Sequence, residues 1–290
     1  MSIRFDSQCI ECHLRHSLET ARKLGTEEQA TLFARELLKL YLSAPDNAAS
    51  PWFGPATNEL FTRFYGLDAD RFKQEKLDSN RFVLERMDLF RERVANSGDP
   101  LYTGLKYAIL GNYIDFSALQ GEVSFDTLDE ILSKAEKMEL DGETFSQFRR
   151  ELETGKKLLY ITDNAGEIGF DRIFAEQIHT LYPHLQITFC VRGAPIINDA
   201  TREDAEFIGI PFPVIENGCN IAGTPVDLIS PEAKQALEDA DVILAKGQGN
   251  IETMLGCGYN VYYAFLVKCI RFIRIFQKDK FTPMLVREKA

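Results

Sequence analysis

The residues best equipped for chemistry fall into three short strings. They are Asp163-Asn164-Ala165-Gly166-Glu167, then Arg192-Gly193-Ala194-Pro195 running to Asn198-Asp199, and finally Lys246-Gly247-Gln248-Gly249-Asn250. Asp163, Asn164 and Asp199 offer oxygen ligands only, a donor set that suits a hard divalent cation such as magnesium or manganese better than a thiophilic metal. The neutral amide oxygen of Asn164 limits the negative charge around such an ion, which keeps its attraction for phosphate. Lys246 adds a cation, and the glycines beside it let backbone N–H groups come close to phosphate oxygens. Together these groups point to hydrolysis of a phosphomonoester, in which the metal polarises the phosphoryl group and orients the attacking water. Taken singly, each string is also an ordinary turn or helix cap, and Lys246-Gly-Gln-Gly lacks the residue order of a Walker loop. The reading rests on all three falling at predicted strand ends.

That placement follows from the chain after Gly155. Apolar runs at 157–162, 185–191, 212–215, 242–245 and 261–267 alternate with amphipathic segments at 168–181, 201–208 and 231–239. Such alternation is the pattern of βαβ units, whose ligands bind beyond the carboxyl ends of the strands. The predicted fold is α/β: a Rossmann-like, three-layer, mostly parallel sheet domain over 151–290 that carries the site, preceded by an all-α domain over 1–150. In the front half, Thr26 and Gln29 form a capping box that opens a helix expected to stop near Pro45. Further helices are predicted around 57–65, 71–96, 126–138 and 143–154. Asp99-Pro100 starts another over 101–110, which Gly111 is expected to break.

Composition narrows the partners. The 290 residues hold 33 Lys and Arg against 44 Asp and Glu, a net charge of −11, with no basic block of the kind that phosphate-backbone binding needs. Nucleic acid is excluded as an expected partner. The uncharged stretch 253–267 contains Gly256, Gly258 and Asn260 and is too short for a membrane span, and the amino terminus lacks the apolar core of a secretory signal. A cytoplasmic location without membrane contact is the expectation, and the oligomeric state is left open. Cys9-Ile-Glu-Cys12 has the spacing of half a zinc site, which Cys269 or His16 could complete. A second metal site and a plain reduced pair both stay open.

The order and spacing of the three strings, with Thr201, Glu252-Thr253 and Gly111-Asn112-x-x-Asp115, resemble the damage-control phosphatase family, also described as domain of unknown function 89. The amino-terminal Cys9-x-x-Cys12 is similar to a pair carried by its prokaryotic subgroup. The resemblance implies a metal-dependent phosphatase of sugar phosphates or damaged phosphometabolites, with magnesium, manganese, cobalt or nickel held by Asp163, Asn164 and Asp199. It implies Asp163, Asp199 and Lys246 as catalytic residues, the lysine near the phosphate. Glu167, Asn198, Gly247, Asn250, Asn112 and Asp115 follow as residues around the substrate. For Asn112 and Asp115, a helix C-cap and an exposed acid are the alternative readings. The chain lacks the Asp-x-Asp-x-Thr/Val string of aspartyl-phosphate enzymes, so attack by water is expected. Alanine at Asp163, Asp199 or Lys246 is expected to abolish turnover and leave the fold intact. Two rival readings are an adenosylmethionine-dependent methyltransferase and a non-catalytic metal-binding protein.

Overall fold

A computed structural model describes residues 3–68, 70–118, 133, 135 and 137–288, the side chains of 114–118 excepted. Twelve α-helices among the described residues surround a six-stranded sheet. The first two helices, α1 (Ser7–Leu24) and α2 (Glu27–Leu42), are capped by Asp6 and by the Thr26–Gln29 box. A 3₁₀ turn at Ser50–Phe53 leads into α3 (Gly54–Tyr65). These elements enclose their own apolar cluster of Ala21, Phe33, Leu37 and Phe61. The predicted stretch 71–96 is two helices, α4 (Lys73–Leu84) and α5 (Met87–Ala95). After them come α6 (Pro100–Ala118) and α7 (Gly142–Thr154). Most of the helix expected at 126–138 lies outside the described residues.

Gly111 does not end α6, which runs on to Ala118. Gly104 and Gly111 lie on the side of α6 that meets α8 (Glu167–Leu181): a Cβ at Gly104 would come within 2.8 Å of Phe174, and one at Gly111 within 3.0 Å of Phe170. These glycines serve a close helix crossing, where the missing side chain is the useful property.

The sheet comprises β1 (Lys157–Ile161), β2 (Gln186–Val191), β3 (Val214–Glu216), β4 (Val242–Lys246), β5 (Val261–Leu266) and β6 (Pro283–Glu288). Their order is β3-β2-β1-β4-β5-β6, parallel except for β6, which pairs antiparallel with β5 and lies beyond the predicted strands. Four shorter helices complete the chain: α9 (Arg202–Ile208), α10 (Pro231–Asp239), α11 (Gly247–Met254) and α12 (Ile270–Phe276). Alternate residues of β1 serve two cores, as a strand's two-residue period requires. Leu158 and Tyr160 join one with α4 to α8, whereas Leu159 and Ile161 join another with α10 to α12. The first core contains Val94, Leu105 and Phe148 from the helical half together with Phe174 and Leu244 from the sheet half, so apolar packing is continuous across position 150. Among the described residues no helix is long and apolar enough to cross a membrane.

Candidate active site

Strand order reverses between β1 and β4, so the loops leaving these neighbours diverge and open a crevice. Ile161 of β1 is level with Cys190 of β2 and Ala245 of β4, which brings the three predicted strings to one edge. Backbone bonds stitch the first two together. The amide of Ala200 donates to the Asp163 carbonyl at 2.8 Å, that of Ala165 to the Asn198 carbonyl at 2.9 Å, and Asn164 and Asp199 form an isolated antiparallel bridge. The α4 helix fastens the same loop from outside, with Asn80 Oδ1 accepting from the Gly166 amide at 2.7 Å.

Asp163, Asn164 and Asp199 are all buried here. The Asn164 amide donates to Asp163 Oδ2 at 2.8 Å and to Glu167 Oε2 at 3.1 Å. From α6, the Asn112 amide reaches the same two oxygens at 2.9 and 2.7 Å. Asn112 is therefore inside a helix with its side chain in the site, and its C-cap reading is set aside. The Asp115 side chain lies outside the described residues. Gly247, at φ +78°, turns its bare Cα to Asp163, where any Cβ would collide with the carboxylate.

Lys246 is wholly buried and saturated. Its ammonium donates to the Ala108 carbonyl at 2.7 Å, to Glu167 Oε1 at 2.9 Å and to Asp171 Oδ1 at 2.6 Å. All three N–H groups are spent on the protein, so a direct bond from Lys246 to phosphate would require one of them to break. Asn250 is likewise turned inward: its amide donates to the carbonyls of Thr162 and Lys246, and its oxygen accepts from Thr224 and Arg192. It anchors the loop from within. Two further charged residues complete the constellation. Arg192 Nε donates to Asp199 Oδ2 at 2.6 Å, and Asp171 Oδ1 accepts from Tyr160 at 2.7 Å. Arg192 stood within the second string without a role. Asp171 has a sequence signal of its own, an acid one helical turn after Glu167 in the apolar run of α8.

Burial raises the Asp163 carboxyl well above the ordinary carboxylate range, and the charges of Glu167 and Asp199 push it the same way against Arg192. Asp199 is raised by burial with Arg192 opposing, and Asp171 is pushed up to about 6 by burial with Lys246 opposing. For Lys246, burial disfavours the charge, yet Asp171 and Glu167 outweigh it and hold the ammonium above its usual range. Crowded carboxylates driven toward their neutral forms, beside an amide oxygen donor, fit a hard divalent cation, which would relieve the repulsion. Among the described residues no three His, Cys, Asp or Glu side chains gather to hold a metal by themselves, and the candidate set here is two aspartates with an asparagine.

Comparison with known proteins decides the family. A model of the damage-control phosphatase ARMT1-like domain matches residues 5–280. The chain belongs to that family. A damage-control phosphatase of Pyrococcus horikoshii is 33% identical over 290 residues, 97% of each chain, and one of Archaeoglobus fulgidus is 34% identical over 252 residues, 85% of each. The crystal structure of a DUF89 family protein from Pyrococcus horikoshii superposes with a TM-score of 0.83 at 28% identity, covering 98% of this chain and 99% of that one. Relatives bearing the phosphatase name support a phosphatase and do not favour the methyltransferase alternative. Cys9 and Cys12 sit one turn apart on α1, the Cys9 sulfur 3.4 Å from Arg271 and its thiol pushed up to about 11 by burial. Cys269 caps α12 and accepts from Gln248 at 3.6 Å.

Proposed function

We propose that this protein is a divalent-metal-dependent phosphatase of small cytoplasmic phosphomonoesters such as sugar phosphates or damaged phosphometabolites. One observation carries the reading: Asp163, Asn164 and Asp199, from two different loops, are joined at the reversal point of the sheet with only oxygen donors among them. These three residues would hold magnesium, manganese, cobalt or nickel. The bound ion would supply a Lewis acid for the phosphoryl oxygens. Asn112 and the Asn164 amide tie Oδ2 of Asp163 and Oε2 of Glu167, which fixes the orientation of both carboxylates. Lys246 positions Glu167 from behind, and the absent side chain at Gly247 leaves the approach to Asp163 clear. Water is the nucleophile in this reading, and an aspartyl-phosphate trapped on Asp163 or Asp199 with labelled substrate would refute that choice.

The test is phosphate release from a panel of sugar phosphates and p-nitrophenyl phosphate, with each metal supplied separately. Asp163→Asn and Asp199→Asn are expected to lower kcat by at least about a hundredfold, as loss of a group central to the chemistry does. Because Asp163 is held under repulsion, Asp163→Asn is expected to keep the melting temperature of metal-free protein at or above that of the wild type. Metal binding without turnover of any ester would instead support the non-catalytic reading.

A further inference from the structure

Arg192 has no exposed surface, and it lies between the two aspartates of the site. Its Nε donates to Asp199 Oδ2 at 2.6 Å, and Nη1 reaches Asn250 Oδ1 at 3.3 Å and Thr224 Oγ1 at 3.4 Å. Nη2 is 3.6 Å from Asp163 Oδ1 and is buried without a hydrogen bond. An arginine that grips phosphate must present N–H groups to an open pocket. This one, at 0% exposure, cannot touch a substrate. Nor is it required to hold the loops together, since the Asn164–Asp199 bridge and the Ala200-to-Asp163 bond do so through the backbone. Its contribution is charge, delivered to both aspartates at once.

Among the described residues, and with every group ionised, the buried acids Asp163, Glu167, Asp171 and Asp199 have Lys246 and Arg192 as their buried ion-pair partners, which leaves two negative charges in excess in this buried set, while the half-buried Lys268 adds a weaker attraction on Asp163. The adjoining Lys76–Asp204 pair is balanced by itself. A divalent cation cancels that excess. We propose that Arg192 is a positioning residue that sets the charge of the site, so that its set of buried acids and their paired cations becomes neutral on taking up a divalent cation and then admits an anionic phosphoryl group. The inference rests on the phosphatase reading and deepens it. Without the arginine, the aspartates attract a cation more strongly, yet the loaded site keeps a negative charge and repels a phosphate dianion. The two affinities therefore move in opposite directions. A residue that only packs would weaken both or neither.

The experiment uses the full chain and calorimetry, first with Mn²⁺ alone and then with inorganic phosphate on the Mn²⁺-loaded protein. For Arg192→Gln, the Mn²⁺ dissociation constant is expected to fall about tenfold and that of phosphate to rise about tenfold, shifts of the size seen when groups behind metal ligands change. Arg192→Lys keeps the charge and is expected to bind Mn²⁺ within about threefold of wild type. Its kcat on p-nitrophenyl phosphate should still fall by about tenfold or more, because a point charge cannot span Asp199, Asn250 and Thr224. Weakening of both affinities in Arg192→Gln overturns the inference, as does a Lys variant that binds Mn²⁺ more than about tenfold differently from wild type. The second criterion decides the matter even if the Gln variant does not fold. Wild-type protein that binds Mn²⁺ and phosphate but hydrolyses no ester defeats the phosphatase reading alone, and the two affinities still judge Arg192. Wild type that binds no Mn²⁺ overturns both.

Discussion

Lys246 ends β4 with its ammonium enclosed by Ala108, Glu167 and Asp171, and removing that charge leaves two buried acids facing each other. Lys246→Met is therefore expected to cost about 3–5 kcal/mol of folding stability in urea denaturation, the range for breaking a buried ion pair from one side. This outcome departs from the sequence expectation that the fold survives substitution at Lys246, because the partners that make it structural lie 138, 79 and 75 residues away along the chain. Asp163, Asn164 and Asp199 could be picked out from strand ends alone. Arg192 could not be given a role, since an arginine in a string does not reveal that it will be buried opposite another charge, whereas Asp171 is marked only by its place in an apolar helical run. Glu252 on α11 gives a pH prediction. Its carboxyl is pushed up to about 7 by burial, with Arg271 opposing and Asp6 assisting. The folded state thus holds the proton more tightly than the unfolded chain, so the stability it contributes is present below about 4.5 and is lost as pH rises through about 7. Melting temperatures of Glu252→Gln should match wild type near pH 4.5 and exceed it at pH 8.

Among the elements, α6 and α8 make the contact on which the site leans. The first carries Ala108 and Asn112, the second Glu167 and Asp171, and Gly104 and Gly111 permit their close approach. A Cβ at Gly111 would come 3.1 Å from both Cα and Cγ of Glu167. Gly111→Ala should lower stability by about 1–3 kcal/mol through overpacking, and lower kcat further by displacing Glu167. Gly98→Ala, where an added Cβ meets nothing within 4 Å, is the control and should leave turnover unchanged. Equal effects at the two glycines would show that helix crossing is not what couples α6 to the site. The central parallel strands are legible because burial on both faces writes them as apolar runs such as Val242-Ile243-Leu244-Ala245 of β4 and Val261 to Leu266 of β5. The edge strand β6 is only partly buried and includes Arg287 and Glu288, so its sequence lacks that signature. Gly111 misled because a helix-ending glycine and a helix-crossing glycine look alike until the second helix is in place.

At the scale of the molecule, the larger core draws side chains from both sides of position 150, with Phe148 against Phe174 and Tyr262 at centroid distances of 6.5 and 4.9 Å. A fragment of residues 151–290 would expose the apolar face that α4 to α7 cover. It is expected to show no cooperative thermal transition, by calorimetry, whereas the full chain does. The sheet's order of strands has a further consequence for how the protein is made. Asp163 and Asp199 leave the ribosome well before Lys246 and Gly247, and β4 must add beside β1 before the two halves of the crevice meet. Until then Glu167 and Asp171 have no ammonium between them, and the nascent chain carries these two acids without their counter-charge. The reactive centre is consequently among the last features to mature during synthesis, and a truncated product stopped ahead of β4 would be inert by construction.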